Sequence, residues 1–243
     1  MRFAIIADIH GNLAALEAVL ADIDQQQIDS IVDLGDFVGY GPEPEDVTQL
    51  LRELQIAGVV GNHEIALTDD ELLSYFSIDA FESIIITRQL ISEQTLEYIK
   101  TLPAFLSIGN LRFVHGTPPD SYKDYINYYG EHELRKAFAS TPEWIAFVGH
   151  THQLGLYESD AENKNIHTSI LKKGCRQLSR QSKYIINIGS VGQPRDENNS
   201  AKYVIFDEET DTLEVRAIPY DVEHTIRLIQ DIGLPESNAY RLL

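Results

Sequence analysis

The sequence predicts an α/β fold, and three observations carry that expectation. Short runs rich in Val, Ile and Phe recur at 3–7, 30–34, 58–60, 112–115, 145–148, 184–188, 203–206 and 213–217. They are bounded by Gly, Asp, Asn or Pro, as strands buried in a layered sheet are. Helical patterns lie between the early runs, so the chain opens β-α-β-α-β. The composition, 43% hydrophobic and 23% charged, is that of an ordinary globular chain.

Taken in order, residues 12–26 set Leu13, Leu16, Val19, Leu20 and Ile23 near a 3.6-residue period, which predicts a helix. Pro44, followed by Glu45 and Asp46, opens a second helix over 44–54, because proline fits the first turn and acidic residues suit its positive end. Residues 78–102 read as helical up to Pro103. The runs 105–108 and 111–115 flank Gly109-Asn110 and predict a hairpin with a two-residue turn. The last third reads as strand-rich and antiparallel, with 203–207 and 213–217 around an acidic turn and a closing helix over 222–232. No Gly/Ser linker, repeat or low-complexity tract interrupts 1–243, so a single domain is expected.

Acidic residues outnumber basic ones 38 to 19, for a formal charge of −19. That surface repels phosphate backbones, so non-specific nucleic-acid binding is not expected. An anionic substrate would need a local positive feature such as a bound metal. No apolar run approaches the roughly 20 residues of a membrane span, and MRFAIIADIHG enters a strand-like run instead of reading as a signal peptide. The one cysteine, Cys175, has no internal partner. Together these lead us to expect a cytoplasmic protein without membrane contact. An oligomer is compatible with the sequence.

Five strand ends carry groups able to ligate metal: Asp8-Ile9-His10, Gly35-Asp36, Gly61-Asn62-His63, His115-Gly116 and Gly149-His150-Thr151-His152. Sites in α/β sheets lie beyond the carboxyl ends of strands. Residues i and i+2 there point the same way, so Asp8/His10 and His150/His152 can each reach one space. From this composition D-x-H is expected by chance about 0.6 times and G-D about once, but G-N-H and G-H-x-H only about 0.02 times each. Five of the eight histidines fall in this set.

The ordered set D-x-H, G-D, G-N-H-E, H-G and G-H-T-H resembles the calcineurin-like metallophosphoesterase superfamily. LGDFVGYGPEPEDV, TRQLISEQTLEYIKTLP and NIGSVGQPRD resemble its small bacterial and archaeal YfcE-like branch. The resemblance implies a four-layer α-β-β-α sandwich of two mixed sheets, and two divalent transition metals at one sheet edge. Asp8, His10, Asp36 and His152 would hold the first; Asp36, Asn62, His115 and His150 would hold the second, with Asp36 bridging. Imidazole and carboxylate donors without thiolate suit Mn, Fe, Zn or Ni, of which Mn is the first expectation. The implied activity is hydrolysis of a small phosphoester or nucleotide, with phosphodiesters favoured. Attack would come from a hydroxide bridging the metals, and His63, off the metals, would protonate the leaving oxygen or stabilise the transition-state charge. The protein-phosphatase branch carries Asp-Arg at the positions of Gly39 and Tyr40. Neither is present, which weighs against a protein phosphatase and leaves open what orients His63. Two other readings stand: a nucleotide or dinucleoside-polyphosphate phosphatase, and a catalytically silent binding scaffold of the same fold.

Plainer roles compete at several positions. Asp8 and Asp36 alone would read as turn caps, Asn62 as a turn residue and His115 as a core histidine; the company they keep promotes them. Asn12 reads equally as an N-cap and as a substrate contact at a helix N-terminus. Arg195 reads as a substrate-phosphate contact or a structural ion pair. Residues 164–184 hold six of the 19 basic residues (Lys164, Lys172, Lys173, Arg176, Arg180, Lys183). They read as a solvated hairpin or loop, or else as a basic lip near His150 and His152. Tyr122, Tyr125, Tyr128 and Tyr129 read as core or interface, or as a wall for a base. His132, His167, His224 and Cys175 receive no role. Neither a G-x-x-x-x-G-K-[ST] nor a G-x-S-x-G motif is present.

Overall fold

The computed structural model describes residues 1–160, 165–196 and 198–243. Two six-stranded sheets pack face to face. The first contains β1 (Arg2–Ile6), β2 (Ser30–Asp33) and β3 (Ala57–Gly58), mutually parallel. The second contains β4 (Phe105–Ile108), β5 (Leu111–Val114), β6 (Ile145–Val148), β7 (Leu154–Asp160) and β8 (Ile166–Ser169). Then β9 (Gly174–Gln177) returns to the first sheet, β10 (Ser182–Ile188) to the second, and β11 (Ala201–Asp207) and β12 (Thr212–Ile218) complete the first. The first sheet runs β3-β2-β1-β11-β12-β9 and the second β4-β5-β6-β10-β7-β8. Both mix parallel and antiparallel pairs: β1 is parallel to β2 and antiparallel to β11, while β10 is parallel to β6 and antiparallel to β7.

Period-two alternation divides the apolar side chains between layers. On β1, Phe3 and Ile5 face the second sheet, and Ala4 and Ile6 face helices. On β11, Phe206 and Val204 turn inward, and Tyr203 and Ile205 turn out. Between the sheets Phe113 stacks on Phe147 at 5.6 Å and Phe147 lies 5.8 Å from Phe206; each ring buried this way stabilises the fold by about 1.5–3 kcal/mol. The outer face of the first sheet is covered by α1 (Leu13–Ile23), α2 (Pro44–Glu53), α3 (Asn62–Ala66), α4 (Asp70–Leu73), α5 (Ile78–Leu90) and α6 (Glu93–Ile99). The outer face of the second is covered by α7 (Glu131–Ser140). The result is the four-layer order expected, helix–sheet–sheet–helix. Two further helices, α8 (Val222–Ile232) and α9 (Glu236–Tyr240), pack on each other beside α5.

Local chemistry explains where the elements depart from the sequence reading. The helical stretch over 78–102 is two helices, because Ile91 is extended and Ser92 caps α6, accepting from the Thr95 amide at 3.1 Å. Glu45 of α2 fixes that break by accepting from both the Ser92 amide and its hydroxyl at 2.8 Å. The strand expected over 58–60 is only Ala57–Gly58, since the Val60 amide leaves the ladder to bond Pro103 O at 2.9 Å. The basic stretch is not a hairpin: β8 pairs with β7 in one sheet and β9 with β12 in the other, so the chain crosses between sheets there. Arg176 pairs with Glu158 at 3.6 Å and Arg180 with Asp211, and Lys183 Nζ donates to Thr141 O; Lys164 lies outside the described residues. Among the described residues no helix is long and apolar enough to cross a membrane.

Candidate metal centre

The carboxyl ends of β1, β2, β5 and β6, with the loop after β3, meet at one edge of the sandwich. The chain turns sharply there. Asp8, His10, Asp36, Tyr40, His150 and His152 all have φ between 49° and 67°. Such left-handed backbone costs non-glycine residues about 1–3 kcal/mol each and clusters at functional sites. It swings these side chains off the strand ends into a space shared with Asn62, His63 and His115: Asp8, His10, Asp36, Asn62, His63, His115, His150 and His152 are all buried. Gly61 lets the loops close, because a Cβ there would overlap Asp36 Oδ1.

Four of the five imidazoles are held in one pattern. His10 Nδ1 faces Val38 O at 3.0 Å, His152 Nδ1 faces Gln193 O at 2.6 Å, His115 Nδ1 faces Leu34 O at 2.8 Å, and His150 Nε2 faces Lys123 O at 3.1 Å. A carbonyl only accepts, so each of these nitrogens carries the proton and the other nitrogen of each neutral ring presents a lone pair. Those lone pairs converge. His10 Nε2 lies 3.1 Å from His152 Nε2, and His115 Nε2 lies 3.1 Å from His150 Nδ1 and 3.2 Å from Asn62 Oδ1. Asp36 Oδ2 lies 3.2 Å from His115 Nε2 and 3.9 Å from His10 Nε2, between the two groups, and Asp8 Oδ1 is 3.6 Å from His152 Nε2. Asp8–His10–His152 and Asp36–His115–His150 are each compact enough to hold a metal ion. Donors facing donors at this range, without intervening protons, fit divalent cations.

The electrostatics agree. Burial pushes His10 and His152 well below the ordinary imidazole value and His150 down to about 3, so neutral, ligating forms are favoured. Burial also lifts Asp8 to about 8. His115 is the exception: burial alone would lower it, but the Asp36 carboxylate raises it to about 9. A cation taken by these donors would displace the second proton from His115 and leave its Nε2 free to ligate.

His63 is held differently. Its Nδ1 has no hydrogen-bond partner among the described residues, and its Nε2 is 4.0 Å from Asp36 Oδ2. Three rings clasp it: Tyr40 at 4.6 Å, His10 at 4.7 Å and Phe76 at 5.1 Å. Gly39, at φ 80°, closes the side facing Nδ1, where a Cβ would overlap the imidazole. Ring packing orients His63. Glu64, which the motif includes but to which the sequence reading gave no role, binds the loops together: its carboxylate accepts from the amides of Asp36 (2.8 Å), Gly61 (2.8 Å) and Val38 (3.2 Å). An acidic residue at the third position of a short helix is the sequence signal for such a reach-back contact.

Asn12 does not face the centre. Its Oδ1 accepts from the Ala15 amide at 3.2 Å and the Thr225 hydroxyl at 3.1 Å, and its Nδ2 donates to Gly192 O at 2.9 Å. Its hydrogen-bonding capacity is used by the fold, so the N-cap reading replaces the substrate contact. Arg195 makes no ion pair among the described residues. It lines an open cavity of about 710 Å³ beside the centre, together with Tyr40, Asn62, His63, Tyr125 and His150. The tyrosine cluster divides: Tyr122 and Tyr125 line this cavity, Tyr128 is exposed, and Tyr129 hydrogen-bonds Thr117 at 3.1 Å. Lys172 and Lys173 line a separate hollow that shares Arg195 with the centre's cavity.

The pattern of the calcineurin-like phosphoesterase superfamily domain matches residues 1–211. An uncharacterized protein of Methanocaldococcus jannaschii is 35% identical, over 98% of this chain and 96% of that protein. A metallophosphoesterase structure from Sphaerobacter thermophilus superposes with a TM-score of 0.84 at 33% identity, covering 100% of this chain and 98% of that one. A hypothetical protein from Pyrococcus horikoshii shares the fold at a TM-score of 0.78 and 19% identity, covering 99% of this chain and 97% of that one.

Proposed function

The chain belongs to the calcineurin-like phosphoesterase superfamily, and on that premise we propose that it is a dinuclear-metal phosphoesterase that prefers small phosphodiesters. The observation that carries this reading is the pairing of inward ring nitrogens. His10 with His152 and His115 with His150 each bring two ring nitrogens within 3.1 Å, and every outward nitrogen is already committed to a backbone carbonyl.

In this reading Asp8, His10, Asp36 and His152 hold one divalent cation and Asp36, Asn62, His115 and His150 the other; Mn is the first choice on donor chemistry. Two such cations, when bound, acidify water toward neutral pH and withdraw charge from phosphoryl oxygens. The chain's own residues do the rest. Asp36 joins the two halves and holds the His63 amide at 2.9 Å, so it sets the register of both. His63, not tied to a carbonyl, is placed to hold or move a proton at the leaving oxygen. Arg195 supplies a forked donor on the cavity wall for a phosphate oxygen. The exposed Cys175, alone in the chain, supports a reducing cytoplasmic setting. Tyr125, 3.8 Å from the His150 ring, gives the cavity an aromatic face and keeps a nucleotide substrate as the second reading. The complete donor set argues against a silent scaffold.

The test is hydrolysis of bis-p-nitrophenyl phosphate and p-nitrophenyl phosphate with Mn²⁺ and with chelator, alongside Asp36→Asn. Metal-dependent turnover that disappears in the variant, faster on the diester, is expected. A folded, metal-loaded protein that hydrolyses neither ester would overturn the reading.

A further inference from the structure

Tyr40 packs against both His63 and His10, and two arginines reach it from distant parts of the chain. Arg195, between β10 and β11, sets its charge beside the Tyr40 hydroxyl while its Nη2 donates to Gln193 Oε1 at 3.1 Å. Arg241, just after α9, lies over its ring at 5.7 Å. Both arginines line the cavity that opens beside His63. Neither pairs with a carboxylate among the described residues, although the chain has 38 acidic residues to 19 basic ones. In so acidic a protein, unpaired guanidinium groups on one cavity wall point to an anionic visitor.

Arg241 is also held in place. Asn238 Nδ2 donates to Tyr40 O at 2.9 Å and to the Ser83 hydroxyl at 2.9 Å, and Asn199 Nδ2 donates to Leu242 O at 2.8 Å. These bonds clamp the chain on both sides of Arg241. The two arginines stand at different depths: the charge of Arg195 acts on Asp8, His10, His63 and His152, whereas Arg241 lies beyond the Tyr40 ring. The family domain ends at residue 211, so Arg241 comes from a segment outside it. Of the cavity's acidic residues, Asp69 caps α4, Asp124 faces the Tyr129 hydroxyl, and Glu71 follows Asp70 in the first turn of α4.

We infer that Arg241, with Arg195, forms a subsite for a second anionic group, so that the substrate is a phosphoester carrying a further phosphate or carboxylate on the portion that projects from the metal centre. This rests on the phosphoesterase reading above. A guanidinium fork binds either anion bidentately, and the backbone held on both sides of Arg241 limits the chain entropy lost on binding.

Calorimetric titration of the Mn-loaded protein separates the cases without needing turnover. The probes are propylphosphonate, 3-phosphonopropionate and propane-1,3-bisphosphonate, with metal-only blanks. The second anion should tighten binding by about tenfold in the wild type. Arg241→Ala should reduce that gain to about twofold or less; Arg241→Lys should keep part of it; Arg227→Ala, on the exposed face of α8, should keep all of it. A gain with the carboxylate, the bisphosphonate or both supports the subsite and identifies the group. Equal affinities in the wild type, or a full gain in a folded Arg241→Ala protein with unchanged melting temperature, overturns it. If Arg241→Ala fails to fold, a smaller gain in Arg241→Lys than in Arg227→Ala supports the subsite and an equal gain overturns it. Hydrolysis with Asp36→Asn tests the reaction separately, so either idea can fail alone.

Discussion

His10 Nε2 and His152 Nε2 face each other at 3.1 Å, and each ring's other nitrogen is bound to a backbone carbonyl. Neither nitrogen can donate to its neighbour without giving up a buried hydrogen bond, so the pair is repulsive until a cation lies between them. The fold therefore stores a local cost that a metal repays.

That cost makes stability depend on metal. Saturating Mn²⁺ should raise the melting temperature and chelator should lower it, with about 2.7 kcal/mol gained when the free ion is at 100 times its Kd. In His152→Ala the gap between the loaded and chelated melting temperatures should shrink by more than half. Differential scanning calorimetry of the two proteins, with and without chelator, reads this directly; equal gaps contradict it.

Glu64 is predicted to matter through the backbone. Glu64→Gln places an amide where three amide N–H groups converge, and an unmet buried donor costs about 1–3 kcal/mol. Metal affinity should fall alongside stability, because the Asp36 and Gly61 loops lose their common anchor. Denaturant unfolding together with Mn²⁺ titration checks both; unchanged affinity would show that the loops hold without it.

Gly39→Ala should affect catalysis more than metal content. The added methyl would meet His63 Nδ1, and at φ 80° alanine is strained as well. Moving His63 within the Tyr40–His10–Phe76 clasp should lower kcat by about 10–100-fold, the scale of a misplaced acid–base group. Metal content per chain should stay at the wild-type value, and its loss would mean that the site, not His63, was disturbed.

Away from the centre, Glu143 offers a pH test. Burial would raise its pKa, but Arg112, at 3.0 Å through Nε, and Ser107, at 2.7 Å, hold it down at about 2. A carboxyl depressed in the folded state contributes stability above its unfolded value, near 4.5, and loses it as pH falls from there toward 2. Glu143→Ala should cost about 3 kcal/mol at pH 7, and the difference from wild type should narrow below pH 4. Thermal melts between pH 2.5 and pH 7 check the sign; a difference that widens in acid contradicts it.

The candidate centre was legible in the sequence because the groups able to ligate metal sit in tight local spacings. Asp8/His10 and His150/His152 each occupy a single turn at a strand end, and G-N-H and G-H-T-H are too rare to arise from composition. The opening β-α-β-α-β and the hairpin at 105–114 were legible for the same reason: their signals are short-range. What escaped is long-range. The clasp on His63 combines Tyr40 and Phe76 with a glycine, Asn12 is claimed by Thr225 and Gly192 from the far end of the chain, and the 166–177 crossover depends on which sheet has an open edge. Arg241 carries no local pattern, and only the docking of α9 brings it to the cavity.

The central claim is that these converging donors hold two divalent cations. Equilibrium dialysis of the chelator-stripped protein against Mn²⁺, with bound metal counted per chain, tests it most directly. Two tightly bound ions per wild-type chain and fewer than two in His152→Ala are predicted. A folded wild-type protein that retains none, with Mn²⁺ or with Zn²⁺, would contradict the account.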